Sequence, residues 1–177
     1  MARFALYTFG VFRKPSDDPA NDGFHALDDK IWPILDRAPG LIGRSGYLGE
    51  PGRRSWGVPT YPAFYHGPQG EHSPSTLSLW ECPEAAIAFA YHGLHAEALK
   101  RAREWFDEPT WPPYAVWWAS DDKRPTWREA VAKHQQLHDE GPTQAAFNFK
   151  NLYDPQGEKT EMASDRMRAY IDQAKGN

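Results

Sequence analysis

One cysteine, Cys82, occurs in 177 residues, so no intrachain disulfide and no Cys-x-x-Cys metal site can form. No apolar run approaches a membrane span. The opening Met1-Ala2-Arg3-Phe4-Ala5 has no apolar core of signal-peptide length, so a cytoplasmic location is expected. Neither sign of charge forms a long run, and the formal net charge is −4. A nucleic-acid surface would need clustered Lys and Arg. Lys100, Arg101 and Arg103 form only a short cluster, which reads as a solvated helix face. Ser78 has no G-x-S-x-G elbow around it. Gly49-Glu50-Pro51-Gly52 is a turn, not a phosphate loop, because no Walker lysine follows.

Aromatic residues are plentiful, with eight Trp and eight Tyr. That exceeds ordinary packing needs and suits an apolar ligand pocket or a subunit interface.

The pattern along the chain predicts alternating element types. Residues 4 to 12 are almost continuously apolar, as in a strand covered on both faces. Phe24, Leu27, Ile31 and Leu35 recur at helical spacing, predicting a helix over 23–36 that Pro33 bends near its end. Leu41 to Leu48 reads as a short strand. Residues 49 to 75 carry five Pro, five Gly, two His and four aromatics. A loop this long is commonly a functional lid, and its aromatics favour a packed one. Thr76 to Trp80 is a third strand. A helix follows from Pro83 to Phe106, with a break expected at Gly93. Tyr114 to Ala119 is a fourth strand. Thr126-Trp127-Arg128-Glu129 is a capping box opening a helix that ends at Gly141-Pro142. Residues 145–149 add an edge strand.

The order β-α-β-β-α-β is that of an α+β, ferredoxin-like antiparallel sheet, here over residues 1–150 with an extra helix. Such a sheet carries its helices on one face. The apolar strands demand cover for the other, and a partner sheet would supply it. A homodimer forming a dimeric α+β barrel is therefore expected. Residues 151–177 form a polar tail. Met167, Tyr170, Ile171 and Ala174 make it a possible docking helix.

Several segments resemble a bacterial family described as a domain of unknown function and numbered 3291. They are Leu6-Tyr7-Thr8-Phe9-Gly10, Arg44-Ser45-Gly46-Tyr47, Leu77-Ser78-Leu79-Trp80, residues 89–95, and Arg103-Glu104-Trp105-Phe106. Trp117-Trp118, Arg124-Pro125-Thr126 and Ala146-Phe147-Asn148-Phe149 complete the set. The resemblance spans residues 4 to 149. It implies kinship with the dimeric α+β barrel superfamily, whose antibiotic-biosynthesis monooxygenases use no cofactor. Haem-binding branches of that superfamily include chlorite dismutases and aldoxime dehydratases. The resemblance transfers no catalytic residue. Asp121-Asp122-Lys123 departs from the more apolar, glycine-bearing turn of the pattern, and the tail lies outside it.

Seven residues are candidates for a site. His92 and His95 share a helix face and can face a pocket. His95, flanked by Leu94 and Ala98, suits a general base or a haem axial ligand. His92 is a candidate substrate contact, although packing under the loop or exposure to solvent is the favoured reading for it. Alternation places Ile42, Arg44 and Gly46 on one strand face. There Arg44 can hold a carboxylate, a phosphate or a haem propionate, or form a buried pair with an internal carboxylate. Tyr7, Tyr47, Trp80 and Trp117 come from four strands and would build an aromatic cup if all pointed one way. His134 and His138 read as two solvated histidines, and His66 and His72 as exposed loop residues.

The expectation is a small-molecule enzyme, monooxygenase-like or a lyase or isomerase, acting on an aromatic or polyketide-like substrate. Residues 49–75 would cap the pocket, with Arg44 holding the substrate and His95 moving a proton. No cofactor and no metal are expected. A haem protein of the same fold and a non-catalytic small-ligand-binding module are the alternatives.

Overall fold

A computed structural model describes residues 2–120 and 122–176. Strand β1 (Arg3–Phe9) leads into helix α1 (Asp22–Leu35), then strand β2 (Leu41–Arg44) and strand β3 (Ser75–Trp80). Helices α2 (Pro83–Ala90) and α3 (Gly93–Trp105) follow, then strand β4 (Tyr114–Ala119) and helix α4 (Trp127–Glu140). A small hairpin, β5 (Leu152–Tyr153) and β6 (Lys159–Thr160), precedes helix α5 (Ser164–Lys175). The four long strands form one antiparallel sheet in the order β2-β3-β1-β4. No helix among the described residues is long and apolar enough to cross a membrane.

Side chains alternate across a strand, and β1 shows the consequence. Phe4 and Leu6 point to one face with Trp80, Val116 and Leu35. Ala5, Tyr7 and Phe9 point to the other with Leu77, Leu79 and Trp117. Helices α1, α2 and α5 cover the first face. The second face is covered by α4 and by the segment between β2 and β3, through Trp127, Ala130, Trp56 and Tyr65. Both faces of the sheet are therefore covered by described residues of the chain itself, whereas the expected barrel dimer was argued from a face left bare.

Other expectations shift in detail. The helix over 83–106 is two helices, broken at Tyr91-His92, with Gly93 at φ +59°. Pro33 is accommodated within α1, two residues before the helix ends. Strand β2 is short and irregular. Its register slips between Leu41 and Gly43, so Leu41 lies opposite Trp80 and Arg44 opposite Ser78. This bulge corrects the expected alternation. Leu41 and Arg44 face the α1 side together, and Ile42 is turned out to 42% exposure. The edge strand over 145–149 reduces to isolated bridges, of which Val116 to Phe147 attaches it to the outer edge of β4. The tail is docked: Tyr170 of α5 packs against the Cys82-Ala85-Ala86 cluster and donates to Glu81. Of the turn 121–123, Asp121 lies outside the described residues.

The long segment is a packed cap. Trp127 donates its backbone N–H to the Trp56 carbonyl and its indole N–H to Ser55. The Phe64 N–H donates to Gln135 of α4. Thr126 caps α4 as the sequence predicts, accepting from the Glu129 N–H. The Glu129 carboxylate does not complete a capping box but accepts from the Trp117 indole at 3.0 Å.

Candidate functional site

The bulge in β2 sends Arg44 beneath α1, where its side chain is 7% exposed. Its guanidinium donates to Asp36 at 3.0 Å and to Glu50 at 3.3 Å, and lies 4.0 Å above the Trp32 ring centroid. Arg53 also reaches Asp36 and Glu50. Trp32 donates its indole N–H to Asp28 at 2.7 Å, and burial raises the Asp28 carboxyl above its ordinary range. Two of the three nitrogens of the Arg44 fork, Nε and Nη1, and the face of the guanidinium are thus taken by the chain's own groups. Of the two readings of Arg44, the geometry matches the internal ion pair.

His95 lies at the α2–α3 junction, half buried, against Phe89 at 5.0 Å between ring centroids. Its Nδ1 is 2.8 Å from the Ala90 carbonyl, which can only accept, so Nδ1 carries the proton and Nε2 is a lone pair. Burial lowers its basicity, opposed by that hydrogen bond. The cleft it lines with Ile31, Ile34, Phe89, His92 and Leu94 holds about 70 Å³. Ligand and cofactor sites run to roughly 300–1,000 Å³. With Arg44 committed elsewhere, these residues do not fit a haem. His92 is exposed at the cleft rim. Ile31 and Ile34 of α1 line this cleft, while Trp32 and Asp36, on another side of the same helix, hold Arg44. The structure does not bring Arg44 and His95 together.

The aromatic cup divides. Trp80 belongs to the α1–α2 face and donates its indole N–H to Ser78. Tyr7, Tyr47 and Trp117 share the opposite face. Tyr47 stacks on Trp127 with centroids 6.0 Å apart and donates to the Ser75 carbonyl. Tyr7 meets the edge of Trp127 at 6.3 Å.

That face holds a residue the sequence reading assigned to solvent. His134 is 0% exposed. Trp127, Ala130, Val131, His134 and Leu137 follow helical spacing, so α4 turns all five toward the sheet. The apolar stripe itself was the signal, and the polar neighbours 133, 135, 136 and 139 masked it. His134 is edge-on to Tyr7 at 5.3 Å, Phe9 at 6.0 Å and Phe64 at 5.1 Å. Its Nε2–H donates to the Pro112 carbonyl, leaving Nδ1 as an unprotonated lone pair. Burial pushes its pKa down to about 4, so the ring is neutral at ordinary pH.

Around this imidazole, buried polar atoms lack hydrogen-bond partners among the described residues: Tyr7 Oη, Trp111 Nε1 and His134 Nδ1. The Tyr7 hydroxyl lies toward Ser75 without a hydrogen bond of normal geometry, and burial holds its pKa far above the usual phenol range. Trp111 stacks on Phe64 at 5.7 Å and contacts Phe9 and Tyr65, which ties it to the same cluster. Buried polar groups are nearly always paired, and each unpaired one costs about 1–3 kcal/mol. A cluster of them in one aromatic layer is unusual for plain core. Thr60 Oγ1, in the cap, is a further such atom. Among the described residues no three His, Cys, Asp or Glu side chains are placed to hold a metal ion.

The fold is that of an α+β protein built on one four-stranded antiparallel sheet, with both faces covered by its own chain. The chain belongs to the family described as Domain of unknown function (DUF3291), whose sequence profile matches residues 3–164. No curated protein matches it. Among solved structures it is similar to NE2512, a protein of unknown function from Nitrosomonas europaea. That likeness has 12% sequence identity, a TM-score of 0.46, and covers 71% of this chain and 97% of the other.

Proposed function

We propose that this is a small-ligand-binding protein whose site is the aromatic layer between the sheet and α4, capped by residues 45–74. The observation that carries the reading is His134, a fully buried neutral imidazole with an unpartnered Nδ1 beside the equally unpartnered Tyr7 hydroxyl. In this reading the cap includes most of residues 49–75, the segment expected from the sequence to close a pocket. Tyr7 belongs to the site, with Tyr47 and Trp117 as its walls.

Among the functions expected from the sequence, the geometry favours binding over proton transfer. A general base works best with a pKa near the operating pH. A ring held near pH 4 is a hydrogen-bond acceptor first. A monooxygenase-like or lyase activity at this site would therefore draw on ligand positioning and exclusion of water more than on imidazole basicity.

The strand order β2-β3-β1-β4, with each crossover skipping one strand, leads us to read the fold as ferredoxin-like. A dimeric α+β barrel would require a partner sheet on the face that α4 and the cap now fill, so we propose that the chain works as a monomer.

The test is a fragment screen read by NMR with ¹⁵N-labelled histidine. Ligands are expected to shift the His134 ring signals and not those of His95, and to lose affinity in Tyr7→Phe. Hits that perturb His95 alone, or that ignore Tyr7→Phe, would place the site elsewhere.

A further inference from the structure

We infer that the ligand of this layer is an uncharged molecule carrying a carbonyl-type acceptor and an N–H or O–H donor. The inference rests on the proposed binding site and specifies its substrate class.

The unpartnered atoms set the requirement. Trp111 Nε1 can only donate, and the Tyr7 hydroxyl is free to donate. His134 Nδ1 can only accept, because its other nitrogen donates to Pro112. Donors thus outnumber obligate acceptors, and a matching ligand presents acceptor oxygen to the phenol and indole and one donor to the imidazole.

Formal charge is absent from the lining. The cluster of Tyr7, Phe9, Phe64, Tyr65, Trp111 and His134 contains no Lys, Arg, Asp or Glu. Charged groups border the layer without entering the cluster: Asp107 lies near Tyr65, and Glu50 accepts from the Tyr47 N–H. Glu129 accepts from Trp117, Arg124 lies 5.4 Å over the Trp56 ring, and Asp139 holds Gln135 and His138. Arg44, the expected anion holder, lies on the other side of the sheet. His134 cannot supply a cation near neutral pH. A carboxylate or ammonium entering here would lose its hydration with no opposite charge in return. An amide or a ketone with a nearby hydroxyl loses far less and satisfies the orphaned groups.

Benzamide, benzoate and benzamidine are near-isosteric neutral, anionic and cationic probes. Each is titrated against the full chain at pH 7 while the His134 ring signals are followed. Benzamide is expected to shift them saturably, with benzoate and benzamidine at least tenfold weaker. Trp111→Phe, which removes one N–H at a half-buried position, is expected to weaken benzamide severalfold while the fold persists by circular dichroism. If benzoate or benzamidine shifts His134 as tightly as benzamide, the neutral-ligand inference fails and the binding site stands. If none of the three moves His134, the inference fails, and a fragment screen equally silent at His134 removes the site as well.

Discussion

Replacing Arg44 with Met separates a structural clamp from a ligand-binding arginine. The side chain is 7% exposed, whereas Asp36 is 33% and Glu50 26% exposed. Removing one partner of a fully buried ion pair costs about 3–5 kcal/mol. Here both carboxylates retain water and can rehydrate, which lowers the Coulombic part. The stacking of the guanidinium on Trp32 adds about 1–2 kcal/mol at a desolvated site. The Met stem keeps part of the packing. The expected loss is about 2–3 kcal/mol, or roughly 4–12 °C in melting temperature for a domain of this size. Thermal unfolding followed by far-UV circular dichroism reads it. Asp36→Asn alone and in combination completes a double-mutant cycle, with a coupling of about 1 kcal/mol or more expected for groups in contact. Arg44→Met at wild-type stability, with additive effects in the cycle, would refute the clamp and return Arg44 to the pool of ligand-holding residues.

The buried imidazole predicts a pH dependence. With His134 near 4 when folded and near 6.5 when unfolded, protons bind the unfolded chain preferentially between those values. Stability is then full above about pH 6.5 and falls by about 3 kcal/mol as pH drops to 4. Urea titrations of wild type and His134→Leu at the two pH values check this, and an unchanged slope in the variant would contradict it. Gly40 has φ +77°, and a Cβ there would lie 2.6 Å from Ala85 Cβ and 2.8 Å from the Tyr170 ring. Gly40→Ala is expected to loosen α5, seen as faster amide exchange over 164–175 with little change in β1. With both sheet faces covered, sedimentation is expected to give the 20.2 kDa of one chain at micromolar concentration. A stable dimer would show that another surface has been overlooked.

The sheet was legible because strand periodicity is local. Phe4 to Phe9, Thr76 to Trp80 and Tyr114 to Ala119 announce their strands, and Thr126 announces the start of α4. What covers each face was not legible. Period-2 patterning says that Tyr7 and Trp117 are buried, but not whether another chain or a later helix buries them. His134 shows the same limit: its stripe with Trp127 and Ala130 is visible, yet Lys133 and Gln135 beside it argue for solvent. Arg44 reads first as a ligand holder, with a buried ion pair as the alternative, and the geometry matches the alternative. Its partners Asp36 and Glu50 depend on a bulge that alternation cannot foresee.

The hydrogen bonds that seat the cap have a kinetic consequence. Phe64 and Gln135 are 71 positions apart, and Ser55 and Trp127 are 72 apart. During synthesis the cap emerges long before the helix that fixes it. Closing so large a loop is entropically slow. Until α4 arrives, Tyr7, Phe9, Phe64 and Tyr65 have no lasting shelter. Exposed aromatics on a half-built sheet invite association. The growing chain therefore passes through a sticky interval whose length is set by translation of residues 75 to 140, and slowing the ribosome there should lower soluble yield before it alters any property of the finished protein.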